Sequence, residues 1–382
     1  MPRVTPGAHF YIPQLDGLRF CAFLSVFLSH VTQAVTHHPT GLVHWYHPEW
    51  WERSALLAAA FGVELFFVLS SYLITTLLLH EVDARGRIDV PAFWLRRVLR
   101  IWPLYLGVLF AYALLVGLPT RLLIAFALFA GNWGMAVWPG MPASLYPLWS
   151  VSVEEQFYLA WPLILSAVPA RRLRVTASAL IVIAVVTRAG LFASGVNVSA
   201  VWLNTAAHLD AIGVGALVAL GGQIRLVPAA RRALAAASVL ALVVCAGTVW
   251  HSLLVPGPLG TPLYVRAGAS VWASLAFFGA ALACGGVLVA ALTAEGSWLS
   301  HPALVYLGRI SYGLYVYHGL ALVVTDSWVW PAASAFAVTL VAAAVSYHVY
   351  ELPFLRLKRR FERVSVASDV HHILVSASVR VP

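Results

Sequence analysis

Residues 15–36 read LDGLRFCAFLSVFLSHVTQAVT, an apolar run with one arginine, Arg19, near its start and one histidine, His30, toward its far end. A bilayer's hydrocarbon core takes about 20 apolar residues per helix, and Gly17 to Thr36 has that length. The run is too long for a signal-peptide core and has no small-residue cleavage site, so it is expected to remain in the chain as a membrane span. Arg19 and His30 are eleven residues apart. On a helix this is about three turns, with an angular offset near 20° and a separation of about 16 Å. The two side chains are therefore expected on one face, where a long anionic ligand with a thin reactive arm could meet both. A snorkelling arginine and a histidine bonded between helices would give the same pattern.

Runs of the same kind recur along the chain. Of its 382 residues 61% are hydrophobic and 10% charged, and the mean hydropathy is +0.84, well above what a water-soluble core requires. Candidate spans fall at 17–36, 56–79, 101–118, 148–168, 175–194, 206–222, 233–250, 268–292, 305–324 and 331–350. The fold class expected is all-α: a polytopic membrane protein of about ten transmembrane helices, with one re-entrant or interfacial segment at 121–138. Gly131, Asn132, Gly134 and Pro139 break that segment, and broken backbone at membrane depth is tolerated only where protein or a cavity satisfies it. Cys21, Cys245 and Cys284 sit inside apolar runs without C-x-x-C spacing, so neither a disulfide framework nor a zinc site is expected.

The net charge of +9 would point to nucleic acid in a soluble protein; here its placement sets topology instead, and no nucleic-acid partner is expected. If 121–138 does not cross, one face holds Arg85, Arg87, Arg96, Arg97, Arg100, the clusters Arg171, Arg172, Arg174 and Arg225, Arg231, Arg232, and the tail Arg356, Lys358, Arg359, Arg360, Arg363. Only Arg53, Arg121 and Arg266 fall opposite. The positive-inside bias then makes the basic face, and both termini, cytoplasmic. Residues 1–363 form the transmembrane domain, and 364–382 a cytoplasmic tail expected to be poorly ordered.

Several charges interrupt the apolar runs: Arg19, Glu64, Glu154, Glu155, Arg188, Asp210 and Arg309, with His30 and His318 beside them. A charge at mid-membrane costs about 2.5 to 3.5 kcal/mol even on the lenient insertion scale, so these groups must be paired, hydrated or functional. Counted from the outer helix ends, His30, Glu64, Glu154 and His318 lie roughly 9 to 12 Å deep and Asp210 about 6 Å, while Arg19, Arg100 and Arg309 come at the inner ends. The expectation is a basic inner vestibule and an acidic, histidine-bearing outer layer, a layout suited to an anionic ligand entering from the cytoplasm.

The same residues carry a resemblance. Leu15-Asp16-Gly17-Leu18-Arg19 followed by His30 resembles the opening signature of the acyltransferase-3 family. Residues 62–70, GVELFFVLS, are similar to its second-helix motif, though Ser71 replaces the usual glycine before Tyr72. Residues 93–103 (FWLRRVLRIWP), 149–158 (WSVSVEEQFY), Leu209-Asp210-Ala211, Gly308-Arg309-Ile310-Ser311-Tyr312 through His318, and Ser346-Tyr347 through Glu351-Leu352-Pro353 fit its later elements in order. The resemblance implies a membrane-bound enzyme that moves an acyl group, acetyl above all, from a coenzyme A thioester to a hydroxyl of a carbohydrate or glycosylated metabolite. It implies no permanently bound cofactor, with acyl-CoA as donor substrate. Some members carry a fused hydrolase-like domain outside the membrane; this chain resembles the stand-alone kind.

Acyl transfer needs a base for the hydroxyl, stabilisation of the oxyanion and exclusion of water from the thioester. With the resemblance, the catalytic candidates are His30, Glu154 and Arg19. His30 would serve as base or as a transient covalent acyl carrier. Glu154 or Glu155 would orient it; adjacent helix residues diverge by about 100°, so only one faces the site, and Glu154 is the choice. Arg97 and Arg100, at i and i+3, suit the phosphates of coenzyme A, with Arg19 completing that site and Asp16 as its partner. Asp210, Trp149, Tyr312 and His318 are the candidates for the acceptor's sugar, although most tryptophans are expected in interfacial belts. The rival class is a glycan or lipid transporter or flippase without chemistry; no inverted repeat is visible in its favour. The Arg- and Ala-rich, Lys-poor composition points to a GC-rich bacterial genome, and so to the bacterial cytoplasmic membrane.

Overall fold

A computed structural model of the chain describes residues 11–37, 58–138, 140–222, 224–253, 265–266, 268–294 and 296–361. The tail 364–382 and Arg53 lie outside them. Within them the chain is helical, with one isolated antiparallel bridge between Leu253 and Val265.

The helices follow the apolar runs, and local chemistry sets their ends. Helix α1 covers Pro13–His37. Helix α2, Gly62–Arg85, stops at Gly86, whose left-handed backbone lets its N–H bond to the Val82 carbonyl at 2.7 Å. Helix α3, Val90–Leu115, starts at Asp89, whose carboxylate accepts from the Ala92 N–H at 3.1 Å. Next come two short helices, α4 (Thr120–Ala127) and α5 (Gly131–Val137). Their eight and seven residues give each a length of roughly 11 to 12 Å, too short to cross a core of about 30 Å. The expected break in 121–138 is thus present. Its corner is Phe129, at φ 54°, held by ring contacts to Tyr105 and Trp102 at centroid distances of 4.8 and 5.2 Å.

Helix α6 is Leu148–Ala167, α7 Leu173–Ala193, α8 Val198–Trp202 and α9 Leu209–Leu220. Then follow α10 (Pro228–Ser252), α11 (Ser270–Leu292), α12 (Pro302–Arg309), α13 (Ser311–Val324), α14 (Pro331–Ser346) and, after a π turn at Tyr347–Glu351, α15 (Leu352–Arg359). Among the described residues six helical stretches are long and apolar enough to cross a membrane: Ala58–Arg85, Val90–Leu115, Ala170–Ala193, Pro228–Ser252, Ser270–Leu292 and Pro331–Arg359. Their outward faces carry large apolar side chains such as Leu114, Leu115, Val186, Leu240 and Val341, a surface suited to lipid.

Four of the ten expected spans are not among these six: 17–36 and 148–168 are the helices α1 and α6, and the other two take another form. The 206–222 span is a twelve-residue helix, α9, entered through the turn Thr205–His208. The 305–324 span is not continuous: it divides at Ile310 into α12 and α13. The reason is close backbone packing. A side chain on Gly308 would collide with the Asp16 carbonyl, and one on Gly17 with the Leu299 carbonyl, so α12 lies directly against the start of α1. Small residues permit such approaches between helices. As a result the arginine end of α1 is fixed against α12, and α13 runs on toward the histidine.

Candidate active site

Three groups of polar side chains hold the residues expected at the site. The first lines a partly open cavity of about 100 Å³. Arg19 comes to it from α1, Ser70 from α2, Arg97 and Arg100 from α3, Glu154 and Tyr158 from α6, and Tyr312 and Tyr315 from α13. The expected pairing of Arg19 with Asp16 is present at 3.0 Å, and Asp16 also accepts from the Tyr11 hydroxyl at 2.9 Å. Arg309 donates to that hydroxyl at 3.1 Å, which ties α12 to the same group.

The arginines of α3 divide by helical position. Arg96 turns away from the cavity, paired with Glu81 at 3.1 Å and donating to the Phe361 carbonyl at 2.9 Å. Arg97 and Arg100, one turn apart, face inward. The Arg97 guanidinium lies over the Phe93 and Tyr158 rings at 5.5 and 5.7 Å, which fixes it by cation–π contact.

The adjacent carboxylates of α6 also separate, as the 100° step requires. Glu154 faces the cavity and accepts from the Tyr158 hydroxyl at 2.6 Å and from the Ser70 hydroxyl. Glu155 points toward α3 and accepts from the Trp102 indole at 2.8 Å. Next to Ser70, Ser71 fills the position where a glycine is usual in the motif. It is buried, donates to the Ile212 carbonyl at 2.6 Å, and has room because Gly215 of α9 packs against it without a side chain.

The second group is a histidine pair. His30 Nδ1 and His318 Nε2 are 2.8 Å apart, and the two rings are within 9° of parallel. His318 Nδ1 bonds to the Tyr315 carbonyl at 2.6 Å. Phe23, Phe27 and Tyr315 surround the His318 ring edge-on, with centroids 5.3 to 6.4 Å away. Tyr315 belongs to both groups: its ring lines the cavity, its hydroxyl meets Ser150 Oγ at 2.7 Å, and its carbonyl anchors His318. His30 is half-buried and is not among the residues lining the arginine cavity.

The third group is sealed. Arg188 forms an ion pair with Asp210 through its two terminal guanidinium nitrogens and also donates to the Ala207 carbonyl. Glu64 meets His208 Nδ1 at 2.6 Å, and His208 Nε2 donates to the Trp202 carbonyl at 2.6 Å. Trp149, Trp202 and Phe67 pack around the His208 ring.

These placements correct several expectations. Glu154 does not orient His30: its hydrogen-bond donors are Ser70 and Tyr158, and the partner of His30 is His318. Asp210 and Trp149 are not on the cavity wall, and each is at most 2% exposed. Asp210 is held by Arg188. Tyr312 does line the cavity, with its hydroxyl on the Ile101 carbonyl at 2.8 Å. The single outer layer expected of His30, Glu64, Glu154, Asp210 and His318 resolves into three separate groups, because equal depth does not fix which way a helix face turns. His208 was missed; a histidine two residues before a buried aspartate, with Glu64 available in another apolar run, was the signal that could have found it.

Comparison with known proteins agrees with the motif order. The family model for the acyltransferase domain matches residues 12–351. A Bacillus subtilis protein provisionally named a peptidoglycan O-acetyltransferase is 28% identical over 90% of this chain and 55% of its own length. The peptidoglycan O-acetyltransferase of Listeria monocytogenes is 26% identical over 92% of this chain and 57% of its own. A Staphylococcus aureus protein provisionally named an O-acetyltransferase is 34% identical over 41% of this chain and 25% of its own. The chain therefore spans a little over half the length of the first two relatives. No solved structure matches it. With a match running from the start of α1 to Glu351, over all the positions that supply the arginines, Glu154 and both histidines of the site, the chain belongs to the acyltransferase-3 family.

Proposed function

We propose that this chain is a membrane O-acyltransferase that moves an acyl group, acetyl in the first instance, from a coenzyme A thioester to a hydroxyl of a carbohydrate or glycosylated small molecule. The observation that carries the reading is the cavity lined by three arginines and by Tyr315, whose backbone carbonyl holds the histidine pair. Arg97, Arg100 and Arg19 suit the phosphates of the donor, because guanidinium–phosphate bonds are charge-assisted and bidentate. Phe66, Phe67 and Tyr315 give the adjoining wall apolar surface for a thin pantetheine arm. Peptidoglycan, named for two of the relatives, supplies the acceptor class to test first.

In this reading His30 takes the proton of the acceptor hydroxyl as its oxygen attacks the thioester carbonyl. The carbon–sulfur bond then breaks, and the proton returns from His30 to the departing thiolate, so that ester and free thiol are the products. Transient acylation of His30 balances equally: the carbon–sulfur bond breaks as the imidazole nitrogen takes the acyl group, the acceptor oxygen then displaces the imidazole, and the hydroxyl proton passes to the thiolate. Glu154 keeps the Ser70 and Tyr158 hydroxyls in place on the cavity wall. The positive-inside bias puts the arginine end, and both termini, at the cytoplasmic face of a bacterial cell membrane, where the donor is made.

The test is incubation of purified protein with radiolabelled acetyl-CoA and soluble peptidoglycan fragments or glycosides, beside a His30→Ala control. Label is expected in the acceptor with the natural protein and at background with the variant. Equal transfer by both would refute the role given to His30, and no transfer to any hydroxyl acceptor would refute the enzyme reading in favour of transport.

A further inference from the structure

His318 lies 288 residues from His30 in sequence and meets it through a bond whose direction can be worked out. A backbone carbonyl only accepts, so His318 Nδ1, at 2.6 Å from the Tyr315 oxygen, carries a hydrogen. The ring is wholly buried among Phe23, Phe27 and Tyr315, and no carboxylate among the described residues bonds to it. An imidazolium buried without a counter-charge is costly, so the resting ring is neutral and its Nε2 holds a lone pair. The 2.8 Å contact then needs a hydrogen on His30 Nδ1. With Nδ1 protonated, the neutral His30 ring leaves its own Nε2 as a lone pair. The other tautomer would set two lone pairs against each other across that distance.

From this geometry we propose that His318 is a positioning residue: it fixes the tautomer and plane of His30 so that Nε2 is presented as the proton acceptor or nucleophile. In hydrolases a carboxylate does this for the catalytic imidazole; here a second neutral imidazole does it, itself fixed by the Tyr315 carbonyl. When His30 gains a proton at Nε2, its Nδ1–H becomes a stronger donor to His318, and the charge is shared between the rings without an anion. The proposal deepens the acyltransferase reading and assigns His318 to His30, not to the acceptor's sugar.

The experiment has two parts. The first reads the ring nitrogens directly, by 15N NMR of histidine-labelled natural protein in nanodiscs near pH 8, with His30→Ala and His318→Gln used for assignment. His30 is expected to be protonated at Nδ1 and bare at Nε2; a hydrogen on Nε2 would overturn the proposal whether or not the protein transfers acyl groups. The second measures acetyl transfer from acetyl-CoA to peptidoglycan fragments. His318→Leu is expected to lower kcat about a hundredfold, the lower part of what a general base contributes, with the KM for acetyl-CoA changed less than about twofold. His318→Gln, whose amide oxygen can accept from His30 Nδ1, is expected to recover about tenfold of that loss. Equal activity of the Leu and Gln variants, or a change confined to KM, would overturn it. Absence of transfer in the natural protein would defeat the enzyme reading alone, since the NMR result stands apart from it.

Discussion

The histidine pair and the Arg188–Asp210–His208–Glu64 cluster lie in the same helix bundle, and both put imidazole among aromatic rings, yet they use their polar atoms differently. In the cluster all four side chains are buried and each is bound by another, so the charges hold α2, α7 and α9 together. The bridge from Glu64 through His208 to the Trp202 carbonyl requires a proton between the carboxylate and Nδ1, because Nε2 is already donating. In the pair, two neutral rings spend three of their four nitrogens on each other and on one carbonyl. The fourth, His30 Nε2, bonds to no described residue. Paired charges stabilise, even with Glu64 Oε2 and Arg188 Nε left without a hydrogen bond among the described residues; one nitrogen left open, on a ring that is itself held still, is what chemistry requires.

The contrast can be broken most forcefully at His30. His30→Ala is expected to lower acyl transfer by about 10²- to 10⁴-fold, the range for a general base, with an unchanged melting temperature in detergent. A parallel fall in thermal stability would mean that the pair is structural like the cluster. The next largest effect is expected from Asp210→Ala, which leaves the Arg188 guanidinium buried and uncompensated. It should cost about 3 to 5 kcal/mol of stability, read as a lowered melting temperature, with the activity of the folded fraction preserved. Replacing both partners, Arg188→Met with Asp210→Leu, should recover most of that loss; failure to recover would show that the ion pair does more than neutralise itself.

Arg97→Gln sharpens the comparison from the donor side. It is expected to raise the KM for acetyl-CoA about tenfold or more, the value of one charged hydrogen bond of about 1.5 to 3 kcal/mol, with kcat little changed. Arg96→Gln should act the opposite way, lowering stability through Glu81 and sparing KM. The smallest effect is expected at Ser71. Ser71→Ala removes one buried hydrogen bond to the Ile212 carbonyl and should cost about 1 kcal/mol of stability, measured by thermal unfolding, with activity intact.

Much of this was legible one element at a time. The apolar runs located the long helices, Gly131, Asn132 and Gly134 marked the broken piece before α6, and Asp16 was named as the partner of Arg19 from its place one turn earlier on the same helix. The i, i+3 spacing put Arg97 and Arg100 on one face, and the 100° step correctly required that Glu154 and Glu155 part. The Ile310 break was not legible, because Gly308 looks like any helical glycine until α1 is known to press on it.

The amino-acid sequence by itself determined the elements and their chemistry: run length, glycine and proline positions, and helical spacing are local properties, fixed by rise and turn per residue. The tertiary structure alone decided which buried groups meet. A helix can turn about its axis at the same depth, and a rotation of one residue's step is enough to exchange one neighbour for another. That is why His30 faces His318 and not Glu154, why Arg188 holds Asp210, and why residues that share a depth belong to three different groups.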